Sequence, residues 1–194
     1  MATMTSERGT SERGTSEKSK LALHDPRPAQ PPGSSHLFLR EEQIRQAQDL
    51  LFFAYRDFTA AADIVLEELE LGRAHHRSLH FIGRNPGMTV SDLLAILGIT
   101  KQSLARVLGA LIERGLVAQV EGKSDRRQRL LTLTASGLAL ERRLFERQRE
   151  LLVPAFREAG GPAVEGFKRV LMGIMEPSAR DFVAEAEPQS RSAG

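Results

Sequence analysis

Apolar residues recur every three or four positions in several segments of the chain, which is the spacing of a helix with one buried face. The longest such segment runs from about residue 40 to residue 69. Its regular positions are Ile44, Ala47, Leu51, Ala54, Phe58, Ala61 and Val65. Further apolar residues, including Phe52 and Phe53, widen the face beyond what one partner helix would cover. We therefore predict a long helix with several neighbours.

The middle of the chain predicts three shorter helices. Residues 74–82 form the first, before the turn Asn85-Pro86-Gly87, and residues 89–97 form the second, with Thr89 or Ser91 as its N-cap. The third runs from residue 100 to 114, with Thr100 as N-cap, Gly115 as the left-handed stop and an apolar face of four residues: Leu104, Val107, Leu108 and Leu111. Two helices joined by a short turn that includes glycine are typical of a helix-turn-helix.

A hairpin and two more helices follow. Residues 116–120 and 128–133 are predicted strands around a basic turn, and Thr134 and Ser136 lie at the start of a helix that continues to residue 156. A final amphipathic helix covers residues 164–175, and we expect Pro177 to end or kink it. The apolar stripes at both ends of the chain predict mutual packing in a dimer.

Charge is segregated along the chain, although the whole chain carries only +2 with a pI of 9.3. The turn from residue 122 to 129 holds Lys123, Arg126, Arg127 and Arg129 against Asp125 alone, a formal +3, whereas residues 40–70 carry a formal −5. A concentrated positive tip can neutralise phosphates and release counterions. Together with the polar face of the helix at residues 100–114, it indicates a DNA-binding protein.

Composition excludes several other classes. The chain has no cysteine, which excludes disulfides, thiolate zinc sites and cysteine-based oxidant sensing. No transmembrane segment or secretory signal is visible, so cytoplasm is the default location, and no arrangement of nucleophile and base indicates an enzyme. We expect residues 1–37, with repeated Thr-Ser-Glu-Arg-Gly and a proline-rich linker, to be disordered; an alternative is an arm that touches DNA phosphates. Residues 185–194 are predicted to be a polar tail.

The hairpin and the following helix start resemble the wing of the MarR family of winged-helix regulators. That family has Asp-x-Arg, a short spacer, an apolar strand and Leu-Thr-x-x-Gly, which correspond here to Asp125-Arg126-Arg127 and Leu133-Thr134-Ala135-Ser136-Gly137. Residues 74–77 and 99–108 are similar to a PetP-type branch of the family. The resemblance implies a mainly α fold at residues 38–184, with a winged helix-turn-helix lobe at about 74–136 and dimerisation helices at about 40–70 and 137–184.

The resemblance also implies a homodimer on pseudo-palindromic duplex DNA, control by a small ligand, and no cofactor. Thr100, Lys101, Gln102, Ser103 and Arg106 would face the major groove and nearby phosphates. Arg127 would enter the minor groove, oriented by Asp125 and flanked by Lys123 and Arg126, while Thr89 and Ser91 would touch the backbone. The chemistry agrees, because Gln pairs with adenine, Arg pairs with guanine, and a guanidinium suits a narrow minor groove.

Alternatives remain for several of the basic and polar residues, and Arg127 with Asp125 could also be plain surface residues. Arg126 and Arg129 could solvate an exposed hairpin, Arg106 could pair with a carboxylate, and Gln102 and Ser103 could be plain surface residues. The whole chain could also be a winged-helix protein-docking module without specific DNA readout.

Three histidines lie close together on the predicted second helix. The resemblance places this helix along the cleft where ligands of such regulators often bind, so His75, His76 and His80 are candidate ligand-contacting residues. Packed, hydrogen-bonded histidines are the plainer interpretation. Metal or haem ligation is a third, which the four-residue spacing of His76 and His80 allows, but no nearby acidic cluster supports it.

Overall fold

The computed structural model describes residues 40–122 and 128–185. Its elements, in chain order, are α1 (Glu41–Glu67), α2 (Arg73–Arg84), β1 (Met88–Thr89), α3 (Val90–Leu97), α4 (Lys101–Glu113), β2 (Val117–Glu121), β3 (Arg129–Leu133), α5 (Ala135–Ala159), α6 (Gly161–Ile174) and α7 (Pro177–Glu185). The predicted helices and hairpin are confirmed, whereas β1 and α7 were not predicted. The predicted N-terminal tail and nearly all of the C-terminal tail lie outside the described residues.

The three strands form one antiparallel sheet in the order β1-β3-β2. Along the wing, Val117 faces Leu133 and Glu121 faces Arg129. The short β1 pairs with the other side of β3, where Met88 faces Leu131. Strand β3 is therefore central, and it joins the wing to the beginning of α3.

The core of the lobe is built from the inward faces of α2, α3, α4 and the sheet. The apolar face predicted for α4 is buried along its whole length. The buried side chains around it include Leu79, Ile82, Leu93, Val117 and Leu131. This burial fixes the rotation of α4, so that its polar face points outward.

Both predicted ends of α4 are confirmed. The Thr100 hydroxyl accepts a hydrogen bond from the Ser103 amide at 3.1 Å, as expected of an N-cap. Gly115 has a φ of +66°. The Leu116 amide donates to the Leu111 carbonyl and the Gly115 amide donates to Ile112, which together form a Schellman motif. The chain thus leaves α4 directly into β2.

The start of α5 is pressed against the end of α4. The Thr134 hydroxyl donates to the Gly115 carbonyl at 2.6 Å and accepts from the Gly137 amide at 3.0 Å. A Cβ added to Gly137 would lie 2.0 Å from the Leu116 carbonyl oxygen. Position 137 therefore requires glycine because of close backbone approach, and this explains the last two fixed positions of the Leu-Thr-x-x-Gly motif.

The terminal helices are much less buried than the lobe. Every side chain from position 41 to 57 of α1 is exposed, and only the last turns, with Ala62, Val65 and Leu66, pack into the core. Arg73 and Asp63 tie α1 to α2 through two hydrogen bonds, at 2.7 and 3.2 Å. Helix α6 has no buried residue and meets α5 through Phe156 and Phe167, whose ring centroids are 6.0 Å apart.

Pro177 has a different role from the one predicted. Helix α6 has already ended at Ile174, and Pro177 is the first residue of α7. Proline is favoured at a first helical position, because the amide it lacks would have no intrahelical partner there. Among the described residues no single helix is long and apolar enough to cross a membrane; α3 and α4 reach such a length only together, and a bend of 118° separates them.

We expect Gly137→Ala to lower the free energy of unfolding by about 2–3 kcal/mol, because the new Cβ forces the helix start away from Leu116. Urea denaturation at fixed protein concentration measures this. Gly109→Ala is the matched control, since no described atom beyond its chain neighbours and the nearby backbone of α4 lies within 4 Å of its added Cβ, and alanine favours a helix interior by up to about 1 kcal/mol. Equal effects of the two substitutions would contradict the close-approach argument.

Candidate nucleic-acid interface

The outward face of α4 is polar and exposed. Lys101, Gln102, Ser103 and Arg106 are all exposed, on the side of the helix opposite its buried leucines. Within residues 40–122 and 128–185, Lys101, Gln102 and Arg106 have no hydrogen-bond or ion-pair partner. The alternative in which Arg106 pairs with a carboxylate is therefore not found there, and three donor-bearing side chains remain available to a ligand.

The hydroxyls at the start of α4 are partly used by the helix itself. Besides capping the helix, Thr100 donates a hydrogen bond from its Oγ1 to Ser103 Oγ at 2.9 Å. Each hydroxyl oxygen still has a lone pair to offer, and the Ser103 hydroxyl proton is free to donate. Both hydroxyls are therefore engaged in the start of α4 and keep only part of their hydrogen-bonding capacity.

Of the two candidate caps of α3, Thr89 is the one used. Its hydroxyl accepts from the Asp92 amide at 3.1 Å, while the Asp92 carboxylate accepts from the Thr89 amide at 3.0 Å. This reciprocal pair is a capping box. Ser91 lies in the first turn and is exposed, so both predicted backbone-contacting residues are at the amino end of α3.

The predicted wing-tip residues Lys123, Asp125, Arg126 and Arg127 lie outside the described residues. The base of the wing is described, and there Arg129 forms an ion pair with Glu121 across the two strands at 2.7 Å. Arg129 therefore takes the hairpin-surface role left open by the sequence. Its charge should not be counted toward the positive tip.

Two arginines outside the polar face of α4 fix the position of the helix-turn-helix. Arg77 of α2 donates to the Leu97 carbonyl at the end of α3, at 2.9 Å. Arg114, just after α4, donates to the Leu69 carbonyl between α1 and α2. Both bonds satisfy carbonyls that are at or near helix ends. Sequence reasoning missed these contacts, because no local pattern links a guanidinium to a carbonyl 20 or 45 residues away.

Comparisons with known proteins agree with this geometry. The sequence model of the MarR family matches residues 69–128. The HTH-type transcriptional regulator PetP of Rhodobacter capsulatus is 51% identical over 150 residues, which cover 77% of this chain and 90% of that protein. The chain belongs to the MarR family. Members are transcriptional regulators of the winged-helix class, so this MarR-family protein is a DNA-binding regulator rather than an enzyme.

Solved structures show the same fold. A SlyA-like transcription regulator from Listeria monocytogenes aligns with a TM-score of 0.57 at 22% identity, over 70% of this chain and 90% of that one. Streptococcus pneumoniae FabT, solved in complex with DNA, aligns with a TM-score of 0.57 at 18% identity, over 68% of this chain and 94% of that one. At these identities the likeness concerns the fold alone.

Among the three α2 histidines of this MarR-family chain, His75 has a structural partner of its own. His75 Nδ1 accepts a hydrogen bond from the Gly72 amide at 3.0 Å and so helps to begin α2. His76 and His80 are partly buried along the helix, and the ring of His80 meets that of Phe81 at 5.2 Å. No group of three metal-ligating side chains occurs among the described residues. The packed interpretation fits His75 best.

His80 faces Glu141 across the boundary between α2 and α5. Their nearest atoms, Nδ1 and Oε1, are 3.8 Å apart, which is too far for a hydrogen bond. Burial lowers the pKa of His80 and raises the pKa of Glu141. Burial therefore disfavours the charged form of each group, and the contact is not a hydrogen-bonded ion pair. Burial also lowers the pKa of His76, against the opposing effect of Asp63.

We expect the free energy of unfolding to fall as pH decreases from 7.5 to 5.5. Burial lowers the pKa of His75, His76 and His80 below the ordinary 6.5. Below pH 6.5 the unfolded chain therefore binds protons before the folded one does, and the stability conferred by the neutral rings is lost. Urea denaturation across this pH range measures the slope.

His76→Gln should flatten that slope. The matched control is His24→Gln, in the tail predicted from the sequence, which should leave it unchanged. Asp63 does not interfere, because Arg73 holds the pKa of its carboxyl below 3.8, outside the range. The raised pKa of Glu141 opposes the histidine effect but is common to both proteins, so an unchanged slope in His76→Gln would contradict the burial of a neutral His76 ring.

Proposed function

We propose that this protein is a homodimeric, sequence-specific regulator that binds pseudo-palindromic operators and responds to a small ligand. The observation that carries the DNA assignment is the outward face of α4. Lys101, Gln102 and Arg106 are exposed there without partners among the described residues, on a helix whose rotation is fixed by its buried side. Such a helix presents hydrogen-bond donors to base edges, and these donors do not first have to leave partners among the described residues.

The remaining predicted residues take supporting roles in the proposal. Thr100 and Ser103 at the start of α4, and Thr89 and Ser91 at the start of α3, are assigned to phosphates, because helix amino ends favour anions. Lys123, Arg126 and Arg127 at the wing tip are assigned to the flanking minor groove, with Asp125 orienting Arg127. The lobe at about 74–136 is thus proposed as the complete reading head.

Dimerisation is assigned to the terminal helices, residues 40–70 and 137–184. Their large apolar side chains are exposed in the single chain: Phe52 is 64% exposed, and Leu51, Phe53, Leu151, Phe167 and Ile174 are also exposed. Exposed apolar surface of this extent marks an interaction site. A two-fold pair would place two α4 helices about 34 Å apart, one turn of B-form DNA.

In the proposal, a small ligand controls DNA binding by changing the distance between the two α4 helices of the dimer. A molecule that changes the separation of the two heads would remove one set of half-site contacts. His75, His76 and His80 line the α2 side of the lobe and were predicted as contacts for such a ligand. Of the three, His76 and His80 are the better candidates, because His75 is engaged with the Gly72 amide.

We expect Arg106→Ala to weaken binding to a selected operator by about 1–3 kcal/mol, roughly 5- to 150-fold, if the guanidinium contacts a base. Fluorescence anisotropy at fixed salt, with DNA fragments first selected from the genome, measures this. Arg142→Ala is the matched control. It removes the same charge from α5, where Arg142 pairs with Glu146 at 2.7 Å. Equal affinities for the two variants, or no preference among duplexes, would favour a protein-docking module instead.

We expect the double variant Leu51→Glu/Phe52→Glu to be monomeric under conditions in which the unmodified protein is a dimer, because two buried charges per subunit oppose association. Light scattering after size exclusion measures the mass. Val120→Glu is the control: it adds a charge at an apolar position that is 52% exposed on the wing, outside the terminal helices. A monomeric unmodified protein, or a variant that remains dimeric, would contradict the assignment.

A further inference from the structure

A cleft lies between the last helix and the DNA-binding lobe. Helix α7 approaches α2 so that the Phe182 ring meets the Phe81 ring edge to face, with centroids 5.6 Å apart and planes at 74°. Beside this contact the cleft has a volume of about 610 Å³. That volume is within the range of small-molecule sites, about 300–1,000 Å³.

The lining of the cleft is mainly apolar and adaptable. The apolar side chains that line it include Phe81, Phe182, Met88, Ile96 and Met175. Methionine has a flexible, polarizable side chain that fits ligands of irregular shape. Aromatic rings provide flat surfaces for another ring and an attractive face for a cation. The cleft therefore suits a molecule with an apolar body of aromatic type.

The polar side chains of the lining are those of Asn85, Asp92 and Ser178, and the Ser178 hydroxyl can donate as well as accept. Asp92 is the single charged residue among the described residues that line it. Its Oδ2 accepts from the Thr89 amide, which leaves Oδ1 without a partner among residues 40–122 and 128–185. Asn85 uses its amide nitrogen for the Phe81 carbonyl at 3.0 Å, so its side-chain oxygen is also available. Two free acceptors, one of them charged, favour a ligand that donates hydrogen bonds and carries positive charge.

We propose that the cleft between α2, α3 and α7 binds an apolar, aromatic amine in its cationic form. An anion of the same shape would meet the Asp92 carboxylate without a compensating cation in the lining. The arrangement differs from the histidine cluster, because the cleft lies on the α3 and α7 side of Phe81 and contains none of the three histidines.

Binding there reaches the reading head through α3. Asp92 belongs to the capping box that begins α3, and Met88 belongs to β1, which pairs with the wing strand β3. A ligand in contact with both is therefore coupled to the two elements that place α4 and the wing. This effect on DNA affinity rests on the proposed function, and by linkage DNA must change the affinity for the amine by the same factor.

Three naphthalene compounds of nearly the same shape test the proposal on the full chain without DNA: 1-naphthylmethylammonium, 1-naphthalenemethanol and 1-naphthylacetate. The protein has no tryptophan and one tyrosine, so naphthalene fluorescence reports binding with little background. We expect the ammonium compound to bind at least fivefold more tightly than the alcohol, and the acetate to bind most weakly. Equal affinities for the three charges would overturn the proposal, as would no binding.

Variants assign the binding to this cleft. Asp92→Asn should abolish the preference for the cation while leaving the alcohol unchanged, since asparagine can still accept from the Thr89 amide. Asp181→Asn, which removes the same charge from α7 outside the lining, is the control. Ala95→Phe fills the cleft without removing a packed side chain, and it should block all three compounds at an unchanged melting temperature. Undiminished ammonium binding in Asp92→Asn or Ala95→Phe would overturn the proposal.

DNA binding is measured separately with the selected operator. One possible result is that the three compounds bind in the expected order of affinity while the protein shows no preference among DNA duplexes. That result would support the cleft and reject the proposed function. Operator binding without amine binding would support the proposed function and overturn the proposal of an amine-binding cleft. If both hold, saturating 1-naphthylmethylammonium should change operator affinity at least threefold in the unmodified protein and leave it unchanged in Ala95→Phe.

Discussion

The contact between the end of α4 and the start of α5 determines the geometry of the reading head. Gly137 allows the α5 backbone to reach the Leu116 carbonyl, and Thr134 bonds to Gly115 while capping α5. Because β2 leaves α4 at Gly115 and β3 enters α5 at Thr134, this one junction sets the angles between α4, the wing and α5. The Schellman motif at Gly115 makes so tight a passage possible.

A second set of contacts connects this junction with the rest of the lobe. Arg77 and Arg114 donate to carbonyls at the end of α3 and between α1 and α2. Strand β1 adds a further link by pairing with β3 beside α3. The segment between α1 and α2 is therefore linked to the end of α4 by a hydrogen bond from a side chain to the backbone.

Local signals explain which parts of the structure were predictable. Helix α4, its Thr100 cap and its Gly115 stop follow from apolar spacing and capping chemistry, and the hairpin follows from two apolar runs around a basic turn. Strand β1 has only two residues and exists because β3 lies beside it, so the local sequence carries no signal for it. Helix α7 was missed because Pro177 was interpreted as a terminator, whereas proline is also a favourable first helical residue. The pairing of Arg129 with Glu121 depends on strand register, which a count of charges does not include.

The residues that form the buried core of one subunit differ from those assigned to the proposed dimer contact in the first half of α1 and in α6. All fully buried apolar side chains among the described residues lie between Ala62 and Leu144, whereas the first half of α1 and all of α6 contribute none. Substitutions in these outer segments therefore cost the subunit little stability. In the proposed homodimer, the surface that selects the partner can therefore change while the core of each subunit stays intact.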